Sequence, residues 1–197
     1  MKRFGALAGV FLLLAFSLSV LGQEGEKGQG PEEAAQQQAM MEAMMPGPVH
    51  AALKKQEGDW IAEYAMYMGG PEPTKSTGTA KNQMILGGRY LRSVHTGEFM
   101  GMPFEGIGVT GYDNVKGHIV STWMDNMGTS ITFGEGSFDS ASGAMTTKGT
   151  MVDPMTKGDM AYRTEAKWVD ANTMLFTMYM DMGGQEVKAF DITYKRK

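Results

Sequence analysis

The sequence contains no cysteine among its 197 residues. Disulfide bonds, cysteine nucleophiles and cysteine metal sites are therefore excluded, and no thiol is available for lipid attachment. A domain without disulfides must be held together by its core. The roughly 150 residues that follow the N-terminal region suffice for one, since domains of that size bury about two-thirds of the surface of the unfolded chain.

Clustered positive charge is also missing. Lys and Arg number 18 against 22 Asp and Glu, and the net charge of −4 is spread along the chain without a basic stripe. Nucleic acid is therefore not a predicted partner. The three histidines have no metal-ligand spacing, and no Gly-x-Ser-x-Gly elbow is present. The sequence predicts no catalytic residues, no metal site and no cofactor, and an active site assembled in space from Asp125, Arg92 and a histidine ranks last among the alternatives.

Long apolar runs are scarce apart from the first one. Lys2 and Arg3 precede an uncharged run over residues 4–21, which ends at the small residue Gly22. This pattern predicts a signal peptide over residues 1–22, cleaved near Gly22, and export to a periplasm or the extracellular medium. An uncleaved anchor is the alternative, although the apolar core is shorter than the roughly 20 residues of a spanning helix. After cleavage we expect no membrane span.

Residues 23–45 are rich in Gln, Glu, Gly and Met and are predicted to form a flexible, acidic tether. Its second half, residues 31–45, is predicted to be either a short helix or a loose tail, because short isolated helices are marginal in water. A domain is predicted over residues 46–197. It begins with a two-turn helix over residues 49–56 that ends before Gly58.

From Gly58 onward, apolar residues alternate with polar ones in about ten stretches, separated by turn formers at intervals of 8–12 residues. This spacing predicts an all-β fold, a single antiparallel up-and-down barrel of about ten strands. In the last three stretches the even-numbered side is the apolar one. We therefore expect the even-numbered residues there to face the interior.

The start of the first strand, Gly58-Asp59-Trp60, resembles the Gly-x-Trp opening of calycin and lipocalin barrels. That resemblance implies a tryptophan at the closed end of the barrel with a basic residue, here Lys195 or Arg196, packed across it. Further blocks lie at Gly87-Gly-Arg-Tyr90, at Gly106-x-Gly108, and across residues 111–113 (Gly-Tyr-Asp) and 122–129 (Thr-Trp-Met-Asp-Asn-Met-Gly-Thr). Together, residues 46–197 resemble the bacterial domain-of-unknown-function family 1579. The resemblance implies a calycin-like barrel and no established activity.

A barrel of this size can hold one small molecule. We therefore expect a non-enzymatic protein that binds a small apolar or amphipathic ligand in its cavity. The residues predicted to line that cavity are Trp60, Tyr64, Met66, Arg92, Trp123, Asp125, Phe176, Met178 and Met180. For two of them a structural interpretation stays open: Trp123 as core and Asp125 as the cap of the following turn.

Methionine is abundant, with 20 residues, and supports alternative interpretations. Thioethers fill irregular apolar cavities, but they are also soft ligands that select Cu(I). Met178, Met180 and Met182 share one strand face and would be the soft-metal ligands. Two further alternatives are sacrificial oxidation of surface methionines and a structural or interaction module whose partner-facing element is the helix that carries Met40 to Met45.

Overall fold

A computed structural model describes residues 30–67 and 72–197. The predicted signal peptide and the first part of the predicted tether lie outside the described residues, so export stays a prediction. Neither helix in the described part of the chain has the length and apolarity needed to cross a membrane.

Two helices precede the strands: α1 (Pro31–Met44) and α2 (Pro48–Lys54). Helix α1 buries none of its residues. Its C-terminal end is tied to the barrel by two side chains: Arg89 Nη2–H donates to the Met44 carbonyl (2.8 Å), and Asn114 Nδ2–H donates to the Glu42 carbonyl (2.9 Å). Residues 31–44 therefore form a helix rather than a loose tail, and its role as a partner-facing element stays a prediction.

Ten antiparallel strands close into one barrel, in which each strand pairs with its neighbours along the chain and β1 pairs with β10. This confirms the predicted fold class. The strands are β1 (Gly58–Met66), β2 (Thr74–Ile85), β3 (Tyr90–Phe99), β4 (Met102–Asp113), β5 (His118–Asp125), β6 (Thr132–Phe138), β7 (Met145–Val152), β8 (Asp159–Asp170), β9 (Thr173–Asp181) and β10 (Glu186–Arg196). Short turns make this order possible, for example between β2 and β3, where Gly87 and Gly88 both have positive φ.

The strand register assigns each side chain to the interior or the exterior. Met174 lies opposite Tyr194, and Phe176 lies opposite Ile192, with three of these four buried. The even-numbered residues of β9, of β8 up to Trp168 and of β10 from Phe190 onward therefore face inward, as the alternation predicts. A bulge between Lys188 and Phe190 shifts the register, so the earlier even-numbered residues of β10 face outward. In β3 the inward side is odd-numbered, because buried Ala80 of β2 lies opposite buried His95.

One end of the barrel is closed, and we call it the floor; it is formed by Leu53, Gln56, Trp60, Tyr194 and Arg196. Trp60 is fully buried, and its Nε1–H donates to the Gln56 carbonyl (3.0 Å). The Arg196 guanidinium lies 4.2 Å from the centre of the Trp60 ring and donates to the carbonyls at residues 55 and 57. Arg196 is therefore the basic residue across the tryptophan, while Lys195 pairs with Glu63 outside the barrel.

The opposite end, which we call the mouth, lies where β1, β3, β5 and β7 end at Met66, Phe99, Asp125 and Val152. Above the floor, several inward-facing side chains are only partly buried, among them Tyr64, Phe176 and Phe190, whereas His95, Tyr162 and Met178 are buried. The core cluster lies toward the floor and consists of Trp60, Ala62, Ala80, Met174, Ile192 and Tyr194. We call the interior between the floor and the mouth the lumen.

Candidate functional site: the barrel lumen

Eight of the nine predicted lining residues lie on inward-facing positions. Trp60 is part of the floor, whereas Met66 and Asp125 lie at the mouth. The remaining five surround the lumen: Tyr64, Trp123, Phe176, Met178 and Met180. Arg92 does not line the lumen: it is exposed on the outer wall, because β3 turns its odd-numbered residues inward.

Trp123 lies flat on one wall of the lumen. Its strand partner is Gly108, and a Cβ atom added at Gly106 would come within 2.4 Å of Trp123 Cζ2. Two glycines on β4 thus leave the space that the indole occupies. The Phe104 ring stacks against Trp123 with its centroid 6.4 Å away and an interplanar angle of 19°.

Asp125 fixes the orientation of this indole. Its Oδ2 accepts from Trp123 Nε1–H (2.8 Å), and its Oδ1 accepts from the backbone N–H of Met127 (3.0 Å). The carboxylate therefore does both things that the sequence suggested as alternatives, because it holds an aromatic wall and caps the following turn. The Gly106-x-Gly108 and Trp123-x-Asp125 motifs together build a single flat aromatic surface inside the barrel.

His95 is the interior residue that sequence reasoning missed. The residue is 5% exposed, and its Nδ1 shares a hydrogen bond with the Tyr64 hydroxyl (3.1 Å). Its ring meets the rings of Trp123 and Tyr194 edge-on, at centroid distances of 5.2 and 5.7 Å. The signal available in the sequence was the alternation of His95 with Leu91 and Ser93, which becomes decisive once Leu91 is known to be buried.

Burial lowers the pKa of His95 to about 4 and raises the pKa of Tyr64 to about 12. Both groups are therefore neutral at physiological pH. In the tautomer in which the Tyr64 hydroxyl donates to Nδ1, the ring carries its proton on Nε2. Nε2 has no partner among the described residues and is not among the side-chain atoms sealed from solvent, so it can donate a hydrogen bond into the lumen.

The pKa of His95 predicts a pH dependence of stability. The unfolded chain takes up a proton near pH 6.5, but the folded protein does so only near pH 4, so stability is lost as the pH falls between these values. We expect the free energy of unfolding to fall by about 2 kcal/mol from pH 7.5 to pH 5. Urea denaturation of the parent and of His95→Gln at several pH values tests this. Most of the change of unfolding free energy with pH should be absent from the variant.

Burial also lowers the pKa of His50. The free energy of unfolding of His95→Gln should therefore still fall as the pH falls, but less steeply than that of the parent. The aspartates with lowered pKa values lose their charge only below the measured range. Equal slopes for the parent and His95→Gln would contradict the assignment of a neutral, buried His95.

On β6, β7 and β8, beside the strand that carries Trp123, the wall is built from small and hydroxyl-bearing residues. Thr147 and Thr164 face each other across β7 and β8 with 2.6 Å between their Oγ1 atoms. Tyr162 lies over Gly134 and Gly149 and donates its hydroxyl to the Phe133 carbonyl (3.0 Å). The hydroxyl groups of these three side chains therefore have hydrogen-bond partners within the wall itself.

The third side of the lumen is apolar. Phe176 and Phe190 stack with centroids 6.0 Å apart, and Met178 lies directly opposite Phe190. Methionine side chains adapt to the shape of whatever packs against them. The lumen thus combines a flat aromatic wall, a wall of hydroxyls and an adaptable apolar wall.

Charge is nearly missing from this interior. Among the inward-facing positions of the described strands, only Asp125 at the mouth and Arg196 at the floor carry a charge, and both are already engaged. In the part of the chain that the structure describes, no three His, Asp or Glu side chains form a metal-type cluster. His118 lies outward beside Glu135, and His50 holds α2 through its Nδ1, which accepts from the Gly47 N–H (3.0 Å).

The structure does not bring together the enzyme alternative of Asp125, Arg92 and a histidine. Asp125 and His95 face inward, with Gly106 between them in the register, while Arg92 faces outward. Two shallow grooves of about 220 and 250 Å³ lie on the outer wall, around Phe133 and around Met124, and neither is part of the lumen.

Comparisons with known proteins agree with this architecture. Residues 45–196 match the model of a family described as "Protein of unknown function (DUF1579)". The crystal structure of Rv2717c from M. tuberculosis superposes with a TM-score of 0.60 at 13% identity, covering 78% of this chain and 99% of that chain. A redesigned β-barrel gives a TM-score of 0.39 at 14% identity, covering 74% and 95%. The search of curated proteins found no match.

Proposed function

The chain belongs to the DUF1579 family of proteins of unknown function, and on that premise we propose that its barrel binds a small, uncharged, apolar or amphipathic molecule in the lumen. The observation that carries the proposal is the partial exposure of inward-facing aromatic and thioether side chains above a closed floor. Phe176, Phe190 and Met180 face inward without being buried. Such surface favours an apolar occupant, because covering it removes apolar area from water.

The charge of the lumen restricts the ligand further. A carboxylate or phosphate entering it would lose hydration, and Arg196 already donates to two floor carbonyls. In the tautomer in which the Tyr64 hydroxyl donates to its Nδ1, neutral His95 offers an Nε2–H donor, which suits an alcohol, ketone or ester oxygen. The ligand class that fits is therefore a neutral molecule with an apolar body and one hydrogen-bond acceptor.

The proposal includes a location outside the cytoplasm. The basic residues Lys2 and Arg3, followed by the apolar run over residues 4–21, support it. Intact-mass spectrometry of the secreted protein tests this location, and the measured mass should be that of a chain whose first residue is Gln23.

A fluorescent displacement assay tests the proposed ligand class. The neutral probe N-phenyl-1-naphthylamine should gain fluorescence with the protein, and decanol should displace it at concentrations at least about tenfold lower than decanoate at pH 8, since no free cation compensates the carboxylate. Equal displacement by decanoate would overturn the restriction to neutral ligands. No probe binding and no displacement would overturn the binding proposal itself.

A matched pair of variants locates the site. Thr164→Phe adds a ring to the inward side of β8, and Lys167→Phe adds the same ring to its exposed outer side. We expect probe binding to disappear in the first variant and to persist in the second. Persistence in both would mean that the probe binds the outer wall.

A further inference from the structure

Methionines of three adjacent strands form a row on one side of the mouth. Met151 of β7 and Met160 of β8 are direct register partners. Tyr162 of β8 pairs with Met180 of β9, and extending that register by two residues places Met182 opposite Met160. Met182 follows the last residue of β9 directly, and its N–H donates to the Gln185 carbonyl (2.8 Å) across the turn to β10. Met180 lies two residues deeper on the same face of β9.

The spacing of this row suits a single ion. Residues directly opposite each other on antiparallel strands have Cβ atoms about 4.5–5.5 Å apart, and methionine has three rotatable bonds with which to direct its sulfur. Three neighbouring strands can therefore turn their thioethers toward one point. Met178 and Met182, by contrast, are four residues apart on one strand, or about 14 Å, which is too far for one ion to contact both.

The row is also accessible, and the nearest carboxylate in the described part of the chain is engaged: Asp153 accepts from the Met155 N–H and from the Thr156 hydroxyl. Met151, Met160 and Met180 are partly buried, and Met182 is 50% exposed, so an ion can enter from solvent. The carboxylates of the same strand ends, Asp159 and Asp181, pair with Val152 and Glu186 on the outward-facing side. A set of thioethers without carboxylates selects soft monovalent ions over Zn²⁺, Mg²⁺ or Ca²⁺.

We propose that Met151, Met160 and Met182 bind one soft d¹⁰ cation, Cu(I) or Ag(I), with Met180 available as a fourth thioether. The site does not require the lumen ligand, because its three principal ligands lie at the rim, by which we mean the strand ends that border the mouth; only Met180 is shared with the lumen. Binding involves no change of oxidation state: the ion enters as Cu(I) or Ag(I) and exchanges its solvent or chelator ligands for thioethers.

Titration with Ag(I), which is redox-inert, tests the site. We expect a single tight equivalent for the parent protein, lost in the triple variant Met151→Leu, Met160→Leu and Met182→Leu. Leucine keeps the apolar volume, so the rim should stay folded. The matched control is Met40→Leu, Met41→Leu and Met44→Leu, which removes three exposed methionines from α1 and should leave the equivalent intact.

Two outcomes would overturn the proposal. One is retention of the tight equivalent by the rim variant; the other is an equal loss in the α1 variant, which would indicate nonspecific thioether binding. If the rim variant does not fold, the parent protein labelled with ¹³C at its methionine methyl groups supplies the answer. Ag(I) should then shift the rim methyl resonances and not those of α1, and the reverse pattern would refute the site.

Discussion

Replacing Trp60 with alanine should lower the free energy of unfolding by about 3–5 kcal/mol, a larger loss than truncation of a side chain in the lumen wall should cause. Trp60 is fully buried between α2 and the floor end of the strands. Its removal leaves a cavity and removes the hydrogen bond to the Gln56 carbonyl as well as the surface over which Arg196 lies. Urea denaturation followed by far-ultraviolet circular dichroism measures the loss.

Two control variants separate the contributions to this loss. Trp60→Phe keeps a ring in the floor and loses the indole N–H, so its cost should be about 1–2 kcal/mol. Trp123→Ala removes the same side chain from the partly exposed lumen wall and should also cost less than Trp60→Ala, because less buried surface is lost. A larger effect at Trp123 than at Trp60 would show that stability resides in the lumen wall and not in the floor.

The strands could be predicted from the sequence because the signals that specify them come from residues close together along the chain. An alternation of period two between glycine-rich turns specifies extended structure, and short connections specify neighbouring strands. About ten strands were predicted, and ten are observed, each paired with its neighbours along the chain. The closed end could be predicted as well, but through the resemblance of Gly58-Asp59-Trp60 to the opening of calycin and lipocalin barrels rather than from local physics.

The choice of inward face was less predictable, because it depends on the turn between strands. In β3, nothing in the alternation of Leu91, Arg92 and Ser93 decides which side faces the core. The pairing of Ala80 with His95 decides it, and this register is set by the tight turn after Ile85. Because the sequence did not decide whether the odd-numbered or the even-numbered side of β3 faces inward, Arg92 was wrongly placed inside and His95 was left out of the predicted site.

Side-chain contacts between strands could not be predicted either, because they too depend on the register between strands. The alternation along β9 showed Met178, Met180 and Met182 on one face, but the row that includes Met151 and Met160 exists only once three strands are in register. Likewise, the sequence marked Gly106-x-Gly108 as a motif without showing what the two glycines make room for. Its actual partner, the indole of Trp123, lies 17 and 15 positions later along the chain and could not be assigned before the pairing of β4 with β5 was known.

The second large effect is expected where Trp123 packs on the glycines of β4. Gly106→Ala should destabilise the protein by about 1–3 kcal/mol and displace the Trp123 indole from the lumen wall. The added Cβ would lie 2.4 Å from Trp123 Cζ2, while Asp125 and Phe104 hold the ring in place. A shift in tryptophan emission and weaker binding of N-phenyl-1-naphthylamine should accompany the loss of stability.

The cause can be isolated with a neighbouring glycine and a double-mutant cycle. A Cβ at Gly108 would come no closer than 3.3 Å to the same indole, so Gly108→Ala should cost clearly less than Gly106→Ala. In a Trp123→Leu background the cost of Gly106→Ala should shrink, with a coupling energy of about 1 kcal/mol or more, because the clashing atoms are gone. Additive costs would mean that Gly106 is required by its own backbone, and the glycine pair would then no longer explain the flat aromatic wall of the lumen.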